Sequence, residues 1–231
     1  MKFPLVLFDL DGVLIHTEPA YTAFWAEIGR EYFPENPDFA PAIKGHSLTD
    51  ILHTYFNGAG SKADEVVARL SAFQRQMDFP LIPGALEFVG QLRAQGVRTA
   101  VVTSSDRQKM EHLYEAIPSF PTLFDRIFTA EDAGRSKPAP DCYLRAAAAF
   151  GLEASACAVF EDSPSGLEAA RRSGARVYGV ATDLSTEEIR PLCDEVVEDF
   201  RLVHLDEATP RSSISKMSVE PPGMPGCENL P

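Results

Sequence analysis

The sequence predicts an α/β fold with a doubly wound parallel sheet and a small inserted α-helical cap domain. Two observations carry this prediction. Short apolar runs bounded by polar or turn residues recur along the chain, and near-continuous apolarity is typical of strands buried on both faces of a parallel sheet. Segments with helical spacing, several ending at a glycine, lie between these runs. Alternation of this kind indicates a Rossmann-like core.

The individual elements follow from the same patterns. The predicted strands, in chain order, are residues 3–8, 97–102, 126–129, 156–160, 176–180 and 195–197. Helices are expected around the apolar repeats at 86–92, 110–117, 143–149 and 167–172. These elements assign residues 1–14 and 80–208 to the α/β core domain.

One interval breaks the alternation. Residues 15–79 contain no convincing strand, but their aromatic and aliphatic residues recur with helical spacing. We expect a helical cap domain here, attached through hinges near 14–18 and 79–84 and able to act as a lid. Residues 209–231 are rich in proline and serine and lack aromatic residues, so we expect a flexible tail without a catalytic role.

Composition narrows the class of function. The chain has 21 Lys and Arg against 34 Asp and Glu, a net charge of −13. Nucleic acid and anionic membranes are also negatively charged, so they are disfavoured as partners. No uncharged run approaches the roughly 18 apolar residues of a spanning helix. Asp9 and Asp11 interrupt the apolar N-terminal run, and the four cysteines form no Cys-x-x-Cys pair. We therefore expect a cytoplasmic monomer without disulfides.

The chemistry-bearing residues follow the predicted strands. Ligands of an open parallel sheet gather beyond the carboxyl ends of its strands, where the sequence places Asp9, Asp11, Thr103, Ser104, Lys137, Glu161 and Asp162. Several carboxylates at one edge repel each other unless a hard divalent cation binds them, and Mg²⁺ fits oxygen ligands. Lys137 and the Thr103 hydroxyl could hold a phosphate against that metal. The set predicts phosphoryl transfer.

Two members of this set have a simpler interpretation when taken alone. A single aspartate at a strand end, such as Asp162 before Ser163 and Pro164, predicts a helix N-cap. Thr103 alone is a plausible cap for the turn that follows it. The order of all the residues together, each after a buried run, favours a functional site.

Four segments resemble the motifs of the haloacid dehalogenase superfamily, over about residues 3–200. They are Phe8-Asp9-Leu10-Asp11-Gly12-Val13, Val102-Thr103-Ser104-Ser105, Ser136-Lys137-Pro138-Ala139-Pro140-Asp141 and Phe160-Glu161-Asp162-Ser163. The inserted helical segment is similar to the cap of the subgroup that holds β-phosphoglucomutase and many sugar-phosphate phosphatases. An acid at position 11 separates this chain from the dehalogenases and transport ATPases of the superfamily.

The resemblance implies roles for the site residues. Asp9 would be the nucleophile that forms an aspartyl phosphate, and Asp11 the acid that protonates the leaving group and later activates water. Mg²⁺ would be held by Asp9, the backbone carbonyl of Asp11 and Asp162, with Glu161 in the outer shell. The phosphate-binding residues would be Thr103, Ser104 and Lys137. The expected activity is hydrolysis of a small-molecule phosphate ester, such as a sugar phosphate.

Departures from the family pattern lie in the cap. The β-phosphoglucomutases have His where Tyr21 stands and Arg where Leu48 stands, so a phosphatase is favoured over a mutase-like isomerase. A phospholigand-binding protein without turnover is a further alternative. His16, Tyr21, Lys44 and His46 are candidates for substrate specificity, with surface-loop or cap-core roles left open beside that interpretation.

Overall fold

A computed structural model describes residues 3–43, 46, 48–57 and 60–203. The candidate Lys44 and the tail expected at 209–231 therefore lie outside the described residues.

In the described part of the chain, six parallel strands form one sheet in the order β3-β2-β1-β4-β5-β6. The strands are β1 (Leu5–Phe8), β2 (Arg98–Val102), β3 (Arg126–Phe128), β4 (Cys157–Glu161), β5 (Arg176–Val180) and β6 (Glu195–Val197). Each coincides with a predicted strand to within two residues at either end. The predicted fold class is confirmed.

Helices connect the strands and form the insertion. They are α1 (Glu18–Tyr32), α2 (Phe39–Ala42), α3 (Leu48–Phe56), α4 (Ser61–Gln74), α5 (Ala85–Ala94), α6 (Arg107–Ala116), α7 (Ala130–Ala133), α8 (Asp141–Ala149), α9 (Pro164–Ser173) and α10 (Thr186–Ile189). Short 3₁₀ turns cover Phe120–Leu123, Ala154–Ala156, Arg190–Leu192 and Phe200–Leu202. Among these described helices, none is both long and apolar enough to cross a membrane.

The sheet is buried on both faces, and its central strand β1 is apolar throughout. Along β1, Val6 and Phe8 belong to one hydrophobic cluster and Leu5 and Leu7 to another, as expected when successive side chains point to opposite faces. The ring of Phe8 stacks on Phe160 of the neighbouring β4, with centroids 5.2 Å apart. This packing fixes the strand ends from which the polar residues project.

The insertion has a hydrophobic cluster of its own. Helices α1 to α4 lie between β1 and α5, in the interval where the sequence predicts helices. Trp25 and Ile28 of α1 pack with Phe39, Ile51 and Val66 from the other three helices and their connections. This cluster shares no buried residue with the two clusters of the sheet.

The two connections between insertion and core are paired with each other. Ile15 and Leu81 form an isolated antiparallel bridge, and the backbone N–H of His16 donates to the carbonyl of Pro80 at 2.7 Å. The sequence predicts two separate hinges at these positions. The structure adds that the outgoing and returning backbones are hydrogen-bonded side by side.

Strand order also locates a crevice. From β1 the chain proceeds to β2 and β3 on one side, whereas β4, on the other side of β1, leads to β5 and β6. Ligands of doubly wound sheets bind beyond the carboxyl ends of the strands at such a switch point. The residues that end β1 and β4 therefore define the candidate site.

Candidate active site

Lys137 joins two carboxylates at this switch point. Its Nζ donates to Asp9 Oδ1 at 2.5 Å and to Glu161 Oε1 at 2.6 Å. The Lys137 side chain is 7% exposed, Asp9 is 11% exposed and Glu161 is fully buried. Asp9 is further fixed through its backbone N–H, which donates to the carbonyl of Phe160 at 3.0 Å. Three sequence-predicted site residues are thus in direct contact.

Glu161 is bonded on both oxygens. Besides Lys137, its Oε1 accepts the Tyr143 hydroxyl at 3.0 Å. Its Oε2 accepts the backbone N–H groups of Asp162 and Ser163 at 3.0 and 3.1 Å and the Ser163 hydroxyl at 3.1 Å. A carboxylate held in this way is an anchor for its neighbours. Tyr143, which the sequence reasoning placed only in a helix, is a missed member of the site.

Ser163, and not Asp162, caps helix α9. The Ser163 hydroxyl accepts the backbone N–H of Gly166 at 3.1 Å, and Pro164 occupies the first helical position, as is common at helix starts. The simpler interpretation of Asp162 as the cap is therefore wrong. The carboxyl group of Asp162 is therefore not used to cap α9.

Gly166 allows α9 to approach Glu161 closely. A Cβ built at position 166 would lie 1.7 Å from Glu161 Oε1, far inside contact distance. Only glycine therefore permits the observed distance between the helix and the anchoring carboxylate.

We expect Gly166→Ala to displace Glu161 and to lower both the melting temperature and phosphate release. The displaced carboxylate would lose hydrogen bonds in a buried place, where an unsatisfied group costs about 1–3 kcal/mol. The matched control is Gly90→Ala, since Gly90 lies in α5 with open space around its missing Cβ. Because alanine favours helix by roughly 0.5–1 kcal/mol over glycine, that variant should be as stable as the parent or more so. Equal melting temperatures for the two variants would contradict the steric argument.

Asp162 packs against the loop that follows β1. It is buried, and a Cβ added to Gly12, whose φ is +76°, would lie 2.1 Å from Asp162 Oδ2. The carbonyl of Gly12 accepts the Thr182 hydroxyl at 2.7 Å, which ties this loop to the end of β5. Glycine at position 12 thus satisfies both the positive φ and the close approach.

The buried carboxylates outnumber the cations that balance them. Burial raises the pKa of Asp9 to about 7, with further increases from the charges of Glu161 and Asp11 and an opposing effect of Lys137. Burial also raises the pKa of Asp162 well above its usual range, reinforced by Glu161 and Asp9. Excess negative charge of this kind is relieved by a bound cation.

The donor set fits Mg²⁺. Asp9 and Asp162 supply carboxylate oxygens at the ends of the neighbouring strands β1 and β4, and both residues are buried. Among the described residues, no group of three or more acidic, histidine or cysteine side chains forms a metal-binding set by itself. Mg²⁺ commonly binds one or two carboxylates and completes its shell with water and substrate phosphate. A backbone carbonyl, as the family resemblance implies for Asp11, would also be compatible with that chemistry.

Asp11 is held from three sides. Lys109 Nζ lies 2.6 Å from both of its carboxylate oxygens. The Ser105 hydroxyl donates to Oδ2 at 3.0 Å, and the Thr17 hydroxyl donates to Oδ1. Burial would raise the pKa of Asp11, but the Lys109 charge and these hydrogen bonds outweigh it and leave the pKa lowered.

Lys109 is a residue of this cluster that the sequence analysis did not assign to the site. The N-cap of α6 is Asp106, whose side chain accepts the Lys109 backbone N–H at 2.8 Å. The first turn of the helix holds Arg107 and Lys109 but no acid. Cations near a helix N-terminus are unfavourable toward the helix dipole. Such a placement is a signal for a nearby carboxylate partner.

Thr103 and Ser104 follow β2, beside the end of β1. The Thr103 hydroxyl is buried and accepts the backbone N–H of Ser105 at 2.9 Å. Ser104 is exposed at the strand end. This bond caps the turn after β2, as the interpretation of Thr103 taken alone predicts, and helix α6 has its own cap in Asp106.

The candidates for substrate specificity in the helical insertion lie in different environments. Tyr21 lies near Asp11, because the centroid of its ring is 4.6 Å from Lys109 Nζ, and its hydroxyl accepts Gln74 Nε2 at 3.0 Å. His16 lies in the paired connection to the core. His46 is exposed. Of these three, the structure brings only Tyr21 into the described network around Asp11.

Comparison with known proteins identifies the family of this chain. Residues 3–174 match the family model of haloacid dehalogenase-like hydrolases. The chain is 32% identical over 190 residues to a validoxylamine A 7'-phosphate phosphatase of Streptomyces hygroscopicus subsp. limoneus, covering 80% of this chain and 89% of the relative. It is 30% identical over 211 residues to hexitol phosphatase A of Escherichia coli, covering 88% and 92%.

A solved structure shows the same fold. The crystal structure of β-phosphoglucomutase from Clostridium difficile superposes with a TM-score of 0.71 at 17% identity, covering 88% of this chain and 94% of that one. The resemblance that the four motifs indicate is confirmed. The chain belongs to the haloacid dehalogenase-like hydrolase family.

Proposed function

We propose that this protein is a Mg²⁺-dependent phosphatase that hydrolyses a small phosphorylated metabolite, such as a sugar phosphate, through an aspartyl phosphate on Asp9. The observation that carries the proposal is the position of Asp9 at the switch point, bonded to Lys137 within a buried carboxylate cluster. The names of the two relatives, phosphatases of a phosphorylated validoxylamine and of hexitols, support the substrate class.

The first half-reaction transfers the phosphoryl group to the protein. A carboxylate oxygen of Asp9 forms a bond to phosphorus while the bond from phosphorus to the ester oxygen breaks, and Asp11 gives that oxygen its proton. Lys137, with Thr103 and Ser104 at the next strand end, would hold the phosphoryl oxygens. Bound Mg²⁺ would add positive charge beside the same oxygens.

The second half-reaction regenerates the enzyme. Water attacks phosphorus, Asp11 takes the proton from that water, and the bond between phosphorus and Asp9 breaks to release phosphate. Because Lys109 and the hydrogen bonds from Ser105 and Thr17 lower the pKa of Asp11 in this structure, Asp11 must take up a proton as the phosphate ester binds before it can act as the acid. We propose that the insertion is a cap whose opening admits water between the two steps.

The mutase-like alternative is less well supported at Tyr21. Burial raises the pKa of this phenol, so it stays protonated at neutral pH. It cannot replace the imidazole that the mutases have at this position, which titrates near neutrality. Incubation with β-glucose 1-phosphate and a bisphosphate activator separates the two functions: glucose 6-phosphate without free phosphate would favour the mutase.

The remaining proposals concern the setting of the enzyme. With a net charge of −13, its partner would be a small-molecule phosphate ester and neither nucleic acid nor a membrane. We expect it to work in the cytoplasm as a monomer.

The direct test is a panel of phosphorylated metabolites that includes hexitol and hexose phosphates. We expect the purified full chain to release inorganic phosphate from some of them in the presence of Mg²⁺ and to stop when a chelator removes the metal. Tight binding of phosphate esters without any release across the panel would favour a phospholigand-binding protein instead.

Asp11→Asn tests the acid and base role. We expect kcat to fall by about 10²–10⁴-fold, the usual contribution of a general acid or base. The Mg²⁺ affinity, measured by calorimetry, should be little changed because the backbone carbonyl of residue 11 is retained. Loss of metal binding together with activity would contradict this separation of roles.

A further inference from the structure

We propose that Lys109 is a positioning residue that couples the orientation of Asp11 to the seating of the helical insertion on the core. This inference rests on the proposed function, because it assigns Lys109 a part in holding the acid and base of that reaction. It is carried by the contacts of one buried ammonium group with both parts of the molecule.

On the core side, Lys109 fixes both oxygens of one carboxylate. Its Nζ lies 2.6 Å from Asp11 Oδ1 and 2.6 Å from Oδ2, and its side chain is only 6% exposed. The Lys109 backbone is itself fixed, since its N–H donates to the N-cap Asp106 at 2.8 Å. The ammonium group is therefore mounted on the first turn of a capped helix and directed at Asp11.

On the side of the insertion, the same ammonium lies against an aromatic ring. Lys109 Nζ is 4.6 Å from the centroid of Tyr21 in α1, a distance at which a cation is attracted to the ring face. The Tyr21 hydroxyl accepts a hydrogen bond from the buried Gln74 at the end of α4. Two helices of the insertion are thus linked to Lys109.

Separation of the insertion from the core would disturb all these contacts together. Lys109 would lose the ring of Tyr21, and Asp11 would lose the hydroxyl of Thr17, which precedes α1. The carboxylate would then keep only Ser105 and a lysine newly exposed to water. Correct positioning of Asp11 is therefore favoured only while the insertion is seated.

The neighbouring residue offers a matched control. Gln108 Nε2 donates to Ser71 Oγ at 2.8 Å, which is also a contact between α6 and α4. This pair is exposed and has no contact with Asp11 among the described hydrogen bonds. Gln108→Ala removes a contact between the two parts without removing a partner of Asp11.

The first test measures kcat and KM for Lys109→Met, Lys109→Arg and Gln108→Ala, using the best substrate of the panel. We expect Lys109→Met to lower kcat about 10²-fold with little change in KM, the size of effect that a misplacement of about 1 Å can cause. Arginine should restore most of the rate, because a guanidinium group can also bind both oxygens of a carboxylate. Gln108→Ala should keep kcat within about 3-fold of the parent.

The second test repeats the measurement in the Asp11→Asn background. If Lys109 acts through Asp11, Lys109→Met should change kcat by less than about 3-fold there, since effects of residues that act as a unit are not additive. A full additional loss in that background would overturn the proposal, and so would an unchanged kcat for Lys109→Met alone.

A third measurement does not depend on turnover. Hydrogen exchange should become faster in Lys109→Met at both ends of the link, around Thr17 and Tyr21 and around Gln74, while β1 and β4 stay protected. Tyr21→Leu, which leaves Lys109 and Asp11 intact, should produce the same pattern if the methionine variant does not fold. Unchanged exchange in both variants would refute the coupling even if no substrate is found. If the parent enzyme has no phosphatase activity but the variants still show faster exchange than the parent at both ends of the link, the proposed function is refuted and the coupling is not.

Discussion

Asp9→Asn will abolish phosphate release. We expect kcat to fall by on the order of 10⁴-fold or more, because an amide cannot serve as the attacking oxygen and removal of a nucleophile costs more than removal of any single supporting group. Asparagine has nearly the same volume as aspartate, so the packing at the end of β1 should be retained. The measurement is release of inorganic phosphate at saturating substrate and Mg²⁺.

Folding should survive this substitution. Lys137 keeps its ion pair with Glu161 when Asp9 becomes neutral, and the backbone bond from residue 9 to Phe160 does not involve the side chain. The melting temperature of the variant should therefore stay close to that of the parent. The control is Asp64→Asn, an exposed position in the first turn of α4, which should leave kcat unchanged. Substantial turnover by folded Asp9→Asn would sink the assignment of the nucleophile.

The sheet was predictable because local composition determines it. Strands such as β1 and β4 are short apolar runs bounded by polar residues, and the two-sided burial of a parallel sheet demands that pattern. The polar residues that follow them then share one edge, which brought Asp9, Lys137 and Glu161 into a single predicted group before any coordinates. Strand order alone places Asp9 and Glu161 side by side, at the ends of β1 and β4, whereas Lys137 reaches them from the loop between α7 and α8.

Contacts between residues far apart in the sequence were harder to predict. Lys109 and Asp11 are 98 residues apart, and nothing local to either residue specifies the other. The prediction placed Lys137 alone as the cation of the site, whereas the structure adds a second buried ammonium at Asp11. The pairing of Ile15 with Leu81 was hidden for the same reason, because a single bridge leaves no repeating pattern in the sequence.

Lys137→Met will destabilise the protein as well as inactivate it. Removing one partner of a buried ion pair leaves a charge without compensation, which costs about 3–5 kcal/mol. Here one ammonium serves two carboxylates, Asp9 at 2.5 Å and Glu161 at 2.6 Å. We expect a loss of this size in the free energy of unfolding at neutral pH, measured by urea denaturation in metal-free buffer. Lys62→Met, at an exposed position of α4, should change it by less than about 1 kcal/mol.

The pH dependence of the stability loss in Lys137→Met distinguishes an effect of charge from an effect of packing. The pKa of folded Asp9 is already raised to about 7, and Lys137 is the group that lowers it, so the pKa should rise further in Lys137→Met. A raised carboxyl pKa means that the folded state binds protons more readily than the unfolded state, so stability increases as the pH falls through the folded value. The stability difference between parent and variant should therefore be largest near about pH 8 and should narrow toward about pH 5, where Asp9 is neutral in the folded variant. A difference that stays constant or widens in acid would show that the loss comes from packing of the lysine chain and not from its charge.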